Sequence, residues 1–572
     1  MEKWIEIRKG APFGEIAEKF HINPIIARLI RNRDIVGDSN IEMYLNGTIS
    51  DLHDGMLMKD MHKAVDIILE KIAEKKKIRI IGDYDIDGIN ATYILLEGLR
   101  ALGGDVDSDI PDRMKDGYGL NQNLIDRAFA SNVDTIITCD NGIAARDEIQ
   151  YGKNLGMTII VTDHHEVPYE EVGNEKRYII PAADAVIDPK QVDCEYPFKE
   201  LCGAAVAYKL VETIFEVSGR DIEDVDYLME NVAIATVGDV MDLVGENRIF
   251  VKQGLEMLKR TKNLGLKALI DCTKTKIDQL SAYQIGFVLG PCLNASGRLD
   301  TAKRALELLC AKSKGEADVL AGDLKALNDS RKEMTVQAVE EAIEAIETTS
   351  LKEDKVLVVY LPECHESLAG IVAGRIRERY YKPTFILTRT EGGIKGSGRS
   401  IEAYHMYEEL NQCKELLARF GGHKLAAGLS LKEENLEAFR EKLNQNTSLT
   451  EEELTPKVAI DMQLPLSYID EDLIQQLELL EPFGKANQKP VFVEKNLDIL
   501  NSRIIGKNQN GLKMQVKDAT GRVMEALYFG DIQAFLAYFE QKSDKKAAFT
   551  YYPSVNDFNG RKTLQINVQN YR

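Results

Sequence analysis

Acidic side chains recur in this sequence wherever a short β-branched run stops. Ile78-Arg79-Ile80-Ile81-Gly82 is followed by Asp83, Asp85 and Asp87. Thr135–Cys139 runs into Asp140-Asn141-Gly142, Thr158–Thr162 into Asp163-His164-His165, and Ala185–Ile187 into Asp188-Pro189. In an open parallel sheet, ligands bind outside the carboxyl ends of the strands, so these groups are expected to meet in one crevice. Carboxylates held that close repel one another unless cations lie among them. Carboxylate and imidazole donors suit Mn²⁺, Mg²⁺, Fe²⁺ or Zn²⁺, and the lack of Cys in the set argues against a structural zinc site. Three or more acids with a histidine suffice for two ions roughly 3.5–4 Å apart, an arrangement that hydrolyses phosphate esters. Taken singly, each Asp reads better as the N-cap of the helix after its strand than as a ligand. The His pair likewise reads as a buried hydrogen-bonded pair. Repetition after three strands, in a chain with eight histidines, favours the metal site. Asp239, after the apolar run Val232–Val237, is a further candidate ligand or a simple turn residue.

A second set is glycine-rich and basic. Asn294 and Arg298 lie in Gly290-Pro291-Cys292-Leu293-Asn294-Ala295-Ser296-Gly297-Arg298, which reads as a tight loop before a helix. Arg375 ends Gly370-Ile371-Val372-Ala373-Gly374-Arg375, which reads as a helix start. Ser397 and Arg399 sit in Gly396–Ser400, and His423 follows Gly421-Gly422. Glycine loops expose backbone N–H groups to anions, and Arg adds a planar fork for phosphate oxygens. One such loop is an ordinary turn; the group of them points to a phosphate track.

These groups must be held by several domains. A 572-residue chain predicts about three to five. Strands alternating with helical stretches from residue 78 imply a parallel-sheet α/β unit. Residues 203–270 read as largely helical. The Ala/Glu/Lys-rich stretch 315–347 reads as one helix of about 45–50 Å, long enough to join two lobes. A second α/β unit begins at Val356. Residues 456–572 alternate apolar and polar side chains between turns, as in a small β-barrel. Its aromatics, Tyr528, Phe529, Tyr551, Tyr552 and Phe558, read as barrel core or as a base-stacking surface. The net charge of −20 argues against a general nucleic-acid coat, yet residues 485–572 hold fourteen Lys and Arg against eight Asp and Glu. Eight cysteines without a Cys-x-x-Cys pair fit reduced thiols in the cytoplasm. No apolar run approaches the ~20 residues of a membrane span, and the N-terminus lacks the pattern of a secretion signal.

Assembled, these motifs resemble the DHH phosphoesterase superfamily and, within it, the RecJ family of bacterial single-stranded-DNA exonucleases. Asp83-Tyr84-Asp85-Ile86-Asp87-Gly88 is similar to the first superfamily motif, Asp140-Asn141-Gly142 to the second and Asp163-His164-His165 to the third, with Asp239 in the place of the fourth. The glycine-rich basic segments, an N-terminal Arg-x-Ile-x-x-Arg and the C-terminal barrel extend the resemblance over nearly the whole chain. It implies an N-terminal helical segment (1–70), a DHH catalytic domain (71–310), a connecting helix (311–350), a DHH-associated substrate-binding domain (351–450) and an OB-fold (456–572). It implies 5′→3′ hydrolysis of single-stranded DNA to 5′-mononucleotides in repair and recombination, with Mn²⁺ or Mg²⁺, two ions. Asp85, Asp140, His164 and Asp239 are then expected around one ion, and Asp83 with a bridging Asp140 around the second. His165 joins this catalytic set, and with Asp87 and Asp163 orients the ligands. Asn294, Arg298, Arg375, Ser397, Arg399 and His423 are expected to bind substrate. The implied partners are single-stranded DNA, a helicase and a single-strand-binding protein, with no membrane, for a cytoplasmic monomer. The lobes are expected to leave a cleft too narrow for duplex, fed by the barrel.

Two rival readings remain. A DHH phosphodiesterase for nanoRNA or cyclic dinucleotides is disfavoured by the length and the barrel. A non-catalytic replication scaffold is disfavoured by the intact acid and histidine set. The chain departs from the family pattern at Ile81, where many relatives carry His, and at the larger Ile86. Cys292 replaces a common basic residue, which is expected to weaken one phosphate contact. Phe483-Gly484-Lys485-Ala486-Asn487-Gln488 only partly matches Phe-Gly-x-Gly-Asn-Pro, which bears on the entry to the barrel.

Overall fold

Five short strands run parallel in the computed structural model: β1 (Lys77–Gly82), β2 (Asp105–Asp109), β3 (Thr135–Cys139), β4 (Thr158–Thr162) and β5 (Ala185–Ile187). The structure describes residues 2–572 apart from 114, 115, 118, 174, 543–545 and 559, and the side chains of Phe558 and Arg561 also lie outside the described set. Apart from the acidic edge strand β2, the strands are rich in apolar β-branched residues because both sheet faces are covered. Ile80, Ile137 and Ile160 enter the apolar core on one face, and Ile81, Ile136 and Ile159 that on the other. Ile81 is thus a core residue, wholly buried. The order is β2-β1-β3-β4-β5. The chain leaves β1 to one side and returns for β3 on the other, so a crevice opens over their carboxyl ends.

Helices α1 (Ile86–Ala101), α2 (Gly203–Val217) and α3 (Met229–Gly238) pack together beside this sheet, and α1 is buried along most of its length. The stretch read as a loop, Gly290–Arg298, is helical instead: α4 (Gly290–Leu299) continues directly from a π-helical turn, Ile285–Leu289. Pro291, which has no N–H to give the helical ladder, falls where the π-helical turn passes into α4. Ile86 is accommodated by two glycines, since a Cβ on Gly238 would lie 2.6 Å, and one on Gly290 3.1 Å, from its side chain.

The next helix, α5 (Lys314–Thr348), is one uninterrupted rod of 35 residues, about 50 Å long. Ala317, Ala321 and Leu324 bury its first half in the catalytic lobe; Ala338, Ala342 and Ile346 bury its second half in the following lobe. That lobe holds β6 (Leu357–Tyr360), α6 (Ala369–Tyr380), β7 (Thr384–Thr390), β8 (Gly393–Arg399), β9 (Leu417–Gly422) and β10 (Ala426–Leu431), in the sheet order β9-β10-β8-β7-β6. Gly396–Arg399, read as part of a loop, is the central strand, paired on both sides.

Five strands close the C-terminal barrel, because Phe492–Ile505 pairs with both Gly511–Lys517 and Lys546–Phe558, and the two-residue strand Met462–Gln463 is added alongside Phe492–Val493. Tyr528, Tyr551 and Tyr552 are core, whereas Phe529 is 63% exposed.

The N-terminal segment is not purely helical. Lys3–Glu6 forms a parallel strand pair with Lys457–Ile460. Helices Pro24–Asn32 and Asp38–Asn46 share a core with the barrel, Ile26, Leu29 and Leu45 packing among Leu473, Leu477 and Leu480. The short helix Phe13–Phe20 covers only part of their apolar faces, and burial drives the rest to a surface more than 400 residues away. The Phe483–Gln488 motif makes this joint. Asn487 Nδ2 donates to the Leu480 and Pro482 carbonyls, and its Oδ1 accepts from Tyr44 and Arg33. Arg248, from the catalytic lobe, donates to the carbonyls of Tyr44, Leu479 and Leu480. The eight cysteines are free thiols, and Cys292 is buried against Asn328 of α5. Among the described residues, no helix is long and apolar enough to cross a membrane.

Candidate metal centre and phosphate cleft

The carboxyl ends of β1, β3 and β4 lie side by side, at the ~4.8 Å spacing of paired strands. Their terminal acids therefore converge. Asp83, Asp85 and Asp140 each bring a carboxylate oxygen within 4.8 Å of the others; so do Asp87, His164 and Asp239, and Asp140, His164 and His165. Asp140 and His164 each belong to two of these groups. His164 Nε2 lies 3.0 Å from Asp140 Oδ1 and 3.5 Å from Asp87 Oδ2. Asp140 sits at φ 58°, a left-handed backbone that Asp tolerates better than most residues. This turn is pressed against the start of α2: a Cβ on Gly203 would lie 2.7 Å from Asp140 Cβ. Asp239 closes α3, and Val240 after it also takes φ 58°, an uncommon conformation for a β-branched residue.

Capping and convergence turn out to be compatible. Asp85 Oδ1 accepts the Asp87 and Gly88 N–H groups and caps α1, leaving its second oxygen for the crevice. Asp87 is fully buried, and both its oxygens accept N–H groups of α2, from Gly203 at 2.6 Å and Ala204 at 2.7 Å. That bonding makes it an orienting residue, although it lies near His164 and Asp239. Asp163 accepts from the Ile143, His164 and His165 backbone N–H groups and bonds His165 Nδ1 at 2.7 Å, so it fixes the His pair. Asp188, whose Oδ2 is buried with no hydrogen-bond partner among the described residues, extends the acid cluster at β5.

Electrostatics fit this donor set to cations. Burial, reinforced by neighbouring carboxylates, pushes Asp83 and Asp239 up to about 8 and holds Asp140 well above the ordinary carboxylate range. Burial lowers His164, keeping its ring neutral and able to ligate, against the opposing pull of Asp87. For His165, burial is outweighed by its bond to Asp163, and it rises to about 9. Asp83 Oδ1 is buried without a hydrogen-bond partner among the described residues, as expected of an oxygen meant for a metal.

A pH dependence follows for the metal-free protein. Asp83 and Asp239 keep protons when folded that the unfolded chain releases near its ordinary carboxylate pKa. Their contribution is fully present at acid pH and is lost as pH rises toward about 8. Melting temperatures in EDTA are therefore expected to fall between about pH 5 and about pH 8, and the gain on adding Mn²⁺ to grow over the same interval. A metal-induced gain that is independent of pH would contradict this assignment.

Beside the acids lies a cavity of about 410 Å³ lined by Arg113, Arg298, Arg375, Arg399, Ser367 and Ser397, among others. Four of the six residues expected to bind substrate are thus brought together. Tyr84 connects the cavity to the acid cluster: Arg113 lies over its ring at 5.1 Å, and Gly297 packs against its carbonyl. Arg298 donates to the Ser367 carbonyl at 2.9 Å and so reaches from α4 into the second lobe. Burial lowers it to about 10, which leaves it charged at neutral pH. Arg399 is packed against α6, where a Cβ on Gly370 would come within 2.8 Å of its guanidinium. Asn294 is not in the lining: its Oδ1 accepts the Ile86 N–H and fixes the first acid loop. His423 stands on the exposed turn between β9 and β10, outside the lining. Two basic residues were missed. Arg113 follows β2, and Arg331 of α5, held by Asn328, lies near Arg298 and Arg375. Neither carries a glycine-rich signature, and no sequence signal marked them.

Residues 77–238 match the DHH family N-terminal domain, 353–448 the DHHA1 domain and 460–570 the RecJ OB domain. Fold and site together are those of a DHH-family protein with a DHHA1 lobe. The chain is 35% identical to the single-stranded-DNA-specific exonuclease RecJ of Bacillus subtilis, over 97% of its own length and 68% of that protein. To RecJ of Escherichia coli it is 32% identical, over 100% and 99%. The crystal structure of Thermus thermophilus RecJ with Mn²⁺ superposes with a TM-score of 0.82 at 26% identity, covering 100% of this chain and 79% of that one. A Mg²⁺ complex from the same organism gives 0.78. This chain belongs to the RecJ family.

Proposed function

We propose that this protein is a metal-dependent exonuclease that degrades single-stranded DNA 5′→3′ to 5′-mononucleotides. The observation that carries the reading is the junction, through Tyr84, of a buried acid–histidine cluster with an arginine-lined cavity between two lobes. Residues 71–310 act as the catalytic domain, 351–450 as the substrate domain and 456–572 as the strand-feeding barrel. Asp83, Asp85 and Asp140 are one donor set for Mn²⁺ or Mg²⁺, and Asp140, His164 and Asp239 the neighbouring one. Two divalent ions in such a site promote the ionisation of water and neutralise charge at phosphorus. Asp87 and Asp163 hold the ligands in place through backbone N–H groups and His165. Arg113, Arg298, Arg375 and Arg399 hold phosphate oxygens, and Ser397 adds a hydroxyl. Asn294 shapes the first acid loop. His423 meets the strand beyond the cavity. Cys292, on α4 and buried against Asn328 of α5, leaves its expected phosphate contact to Arg331. The protein works as a cytoplasmic monomer alongside a helicase and a single-strand-binding protein.

The test is a time course with Mn²⁺ on single-stranded DNA labelled at the 5′ end and, separately, at the 3′ end. Immediate release of a labelled mononucleotide from the 5′ end alone is the expected result. Turnover of di- or trinucleotides with long strands left intact would replace this reading with a nanoRNA phosphodiesterase.

A further inference from the structure

Tyr283 and Phe287 are 62% and 64% exposed. They lie four residues apart on one helical face, and their rings stack at 4.8 Å with 30° between planes. Their backbone is the short helix Ala282–Gln284 running into the π-turn Ile285–Leu289. Such turns are rare and occur often at functional sites. Here the wider turn keeps Ala282, Ile285 and Leu289 buried while both rings face solvent.

The pair is separated from the catalytic acids by one layer of side chains. A Cβ on Gly286 would lie 3.5 Å from Val237, two residues before Asp239. The π-turn leads into α4, whose Gly290 adjoins Ile86 and whose Asn294 bonds the Ile86 N–H. The inner surface of this helical unit therefore fixes the first acid loop, while its outer surface carries the rings. Just before them, Lys274 and Lys276 are exposed beside Ile277, which is 50% exposed; Asp278 is the single acid from 273 to 289. Exposed rings with flanking cations, on the helical unit whose other face fixes the first acid loop, offer what a single nucleic-acid strand requires: stacking for its bases and charge for its backbone.

We propose that Tyr283 and Phe287 form a base-stacking platform for the single strand adjoining the catalytic cleft. The proposal deepens the exonuclease reading and rests on it. Every base has a π-face, so the platform takes bases without regard to sequence.

The experiment measures binding without divalent metal, so that no turnover intervenes. Thymidine oligonucleotides carry 2-aminopurine at successive positions. The wild type is expected to quench the probe at one or two positions, and Tyr283→Ala/Phe287→Ala to abolish that quenching and weaken binding about 5- to 100-fold. Tyr283→Phe/Phe287→Tyr should retain both. Abasic sites at the quenched positions should weaken the wild type by the same factor and leave the double alanine variant unchanged. Hydrolysis of very short oligonucleotides should be the same in all three proteins. Equal binding by wild type and double alanine variant, or a loss indifferent to abasic sites, would overturn the platform. A wild-type dimer abolished by the double alanine change, with quenching intact, would make this face a self-association surface instead. A wild type that quenches the probe yet fails to degrade DNA would sink the exonuclease reading and leave the platform standing.

Discussion

Asp140→Asn is expected to reduce kcat/KM on single-stranded DNA by on the order of 10³-fold or more, even at saturating Mn²⁺. Asp140 belongs to two of the three donor groups and lies 3.0 Å from His164 Nε2, so its charge serves the whole cluster. Asn keeps the shape and tolerates φ 58°, so the turn at the end of β3 and its contact with Gly203 should survive. The metal-free variant should melt no lower than wild type, because burial and the neighbouring Asp87, Asp85, Asp83 and Asp239 already disfavour the charge. The metal response should differ sharply. Binding at 100 times Kd stabilises a protein by about 2.7 kcal/mol, and the variant should lose most of that gain. Asp140→Ala should behave alike in activity. Wild-type turnover by either variant in saturating Mn²⁺ would remove Asp140 from the site.

The second large effect is expected at Arg298. Arg298→Ala should lower kcat/KM by about 10²- to 10³-fold, the range seen when one preorganised donor to developing charge is lost. Its guanidinium is positioned by the Ser367 carbonyl and placed near Asp85, Arg113 and Arg399. It therefore faces metal donors on one side and the phosphate cavity on the other. Arg298→Lys should recover little, because an ammonium cannot hold a carbonyl and two phosphate oxygens in one plane. Removing a partly buried cation from among other cations should leave the melting temperature nearly unchanged, which separates loss of function from loss of fold. Comparing substrates with and without a terminal phosphate locates the effect: a penalty confined to phosphorylated ends marks a terminal-phosphate site, an equal penalty an internal one. Unaltered kinetics would exclude Arg298 from the reaction.

The acid–histidine cluster was legible because its residues are local in sequence. Each acid comes directly after a strand, and parallel pairing of β1, β3 and β4 brings such positions together whatever else the chain does. For Asp85 the two readings, cap and ligand, do not compete, since it caps α1 with one oxygen and keeps the other for the crevice. The connecting helix was legible for a similar reason: 314–348 holds no Pro and one interior Gly beyond its first turn, so nothing interrupts it.

The substrate side was only partly legible. Glycine-rich composition marks a loop, a helix entry and a central strand alike, and Gly290–Arg298 and Gly396–Arg399 became helix and strand because their neighbours supply the hydrogen bonds. His423 and Asn294 shared that composition with Arg298 and Arg399, yet one stands on an exposed turn and the other bonds the backbone of Ile86.

By itself, then, the sequence determined the elements and the acid cluster, since both follow from short-range patterns of burial and turn chemistry. Tertiary structure alone decided which basic residues face the cavity, Arg113 coming from a loop that carries no motif, and which stand near it, Arg331 on α5 being close to Arg298. It also decided that the first 46 residues complete the C-terminal barrel's core, through the pairing of Lys3–Glu6 with Lys457–Ile460 and the bonds of Asn487. Hydrophobic burial is non-directional, so an amphipathic face announces that it needs a partner without saying which. That choice is made by shape and by buried hydrogen bonds between residues hundreds of positions apart.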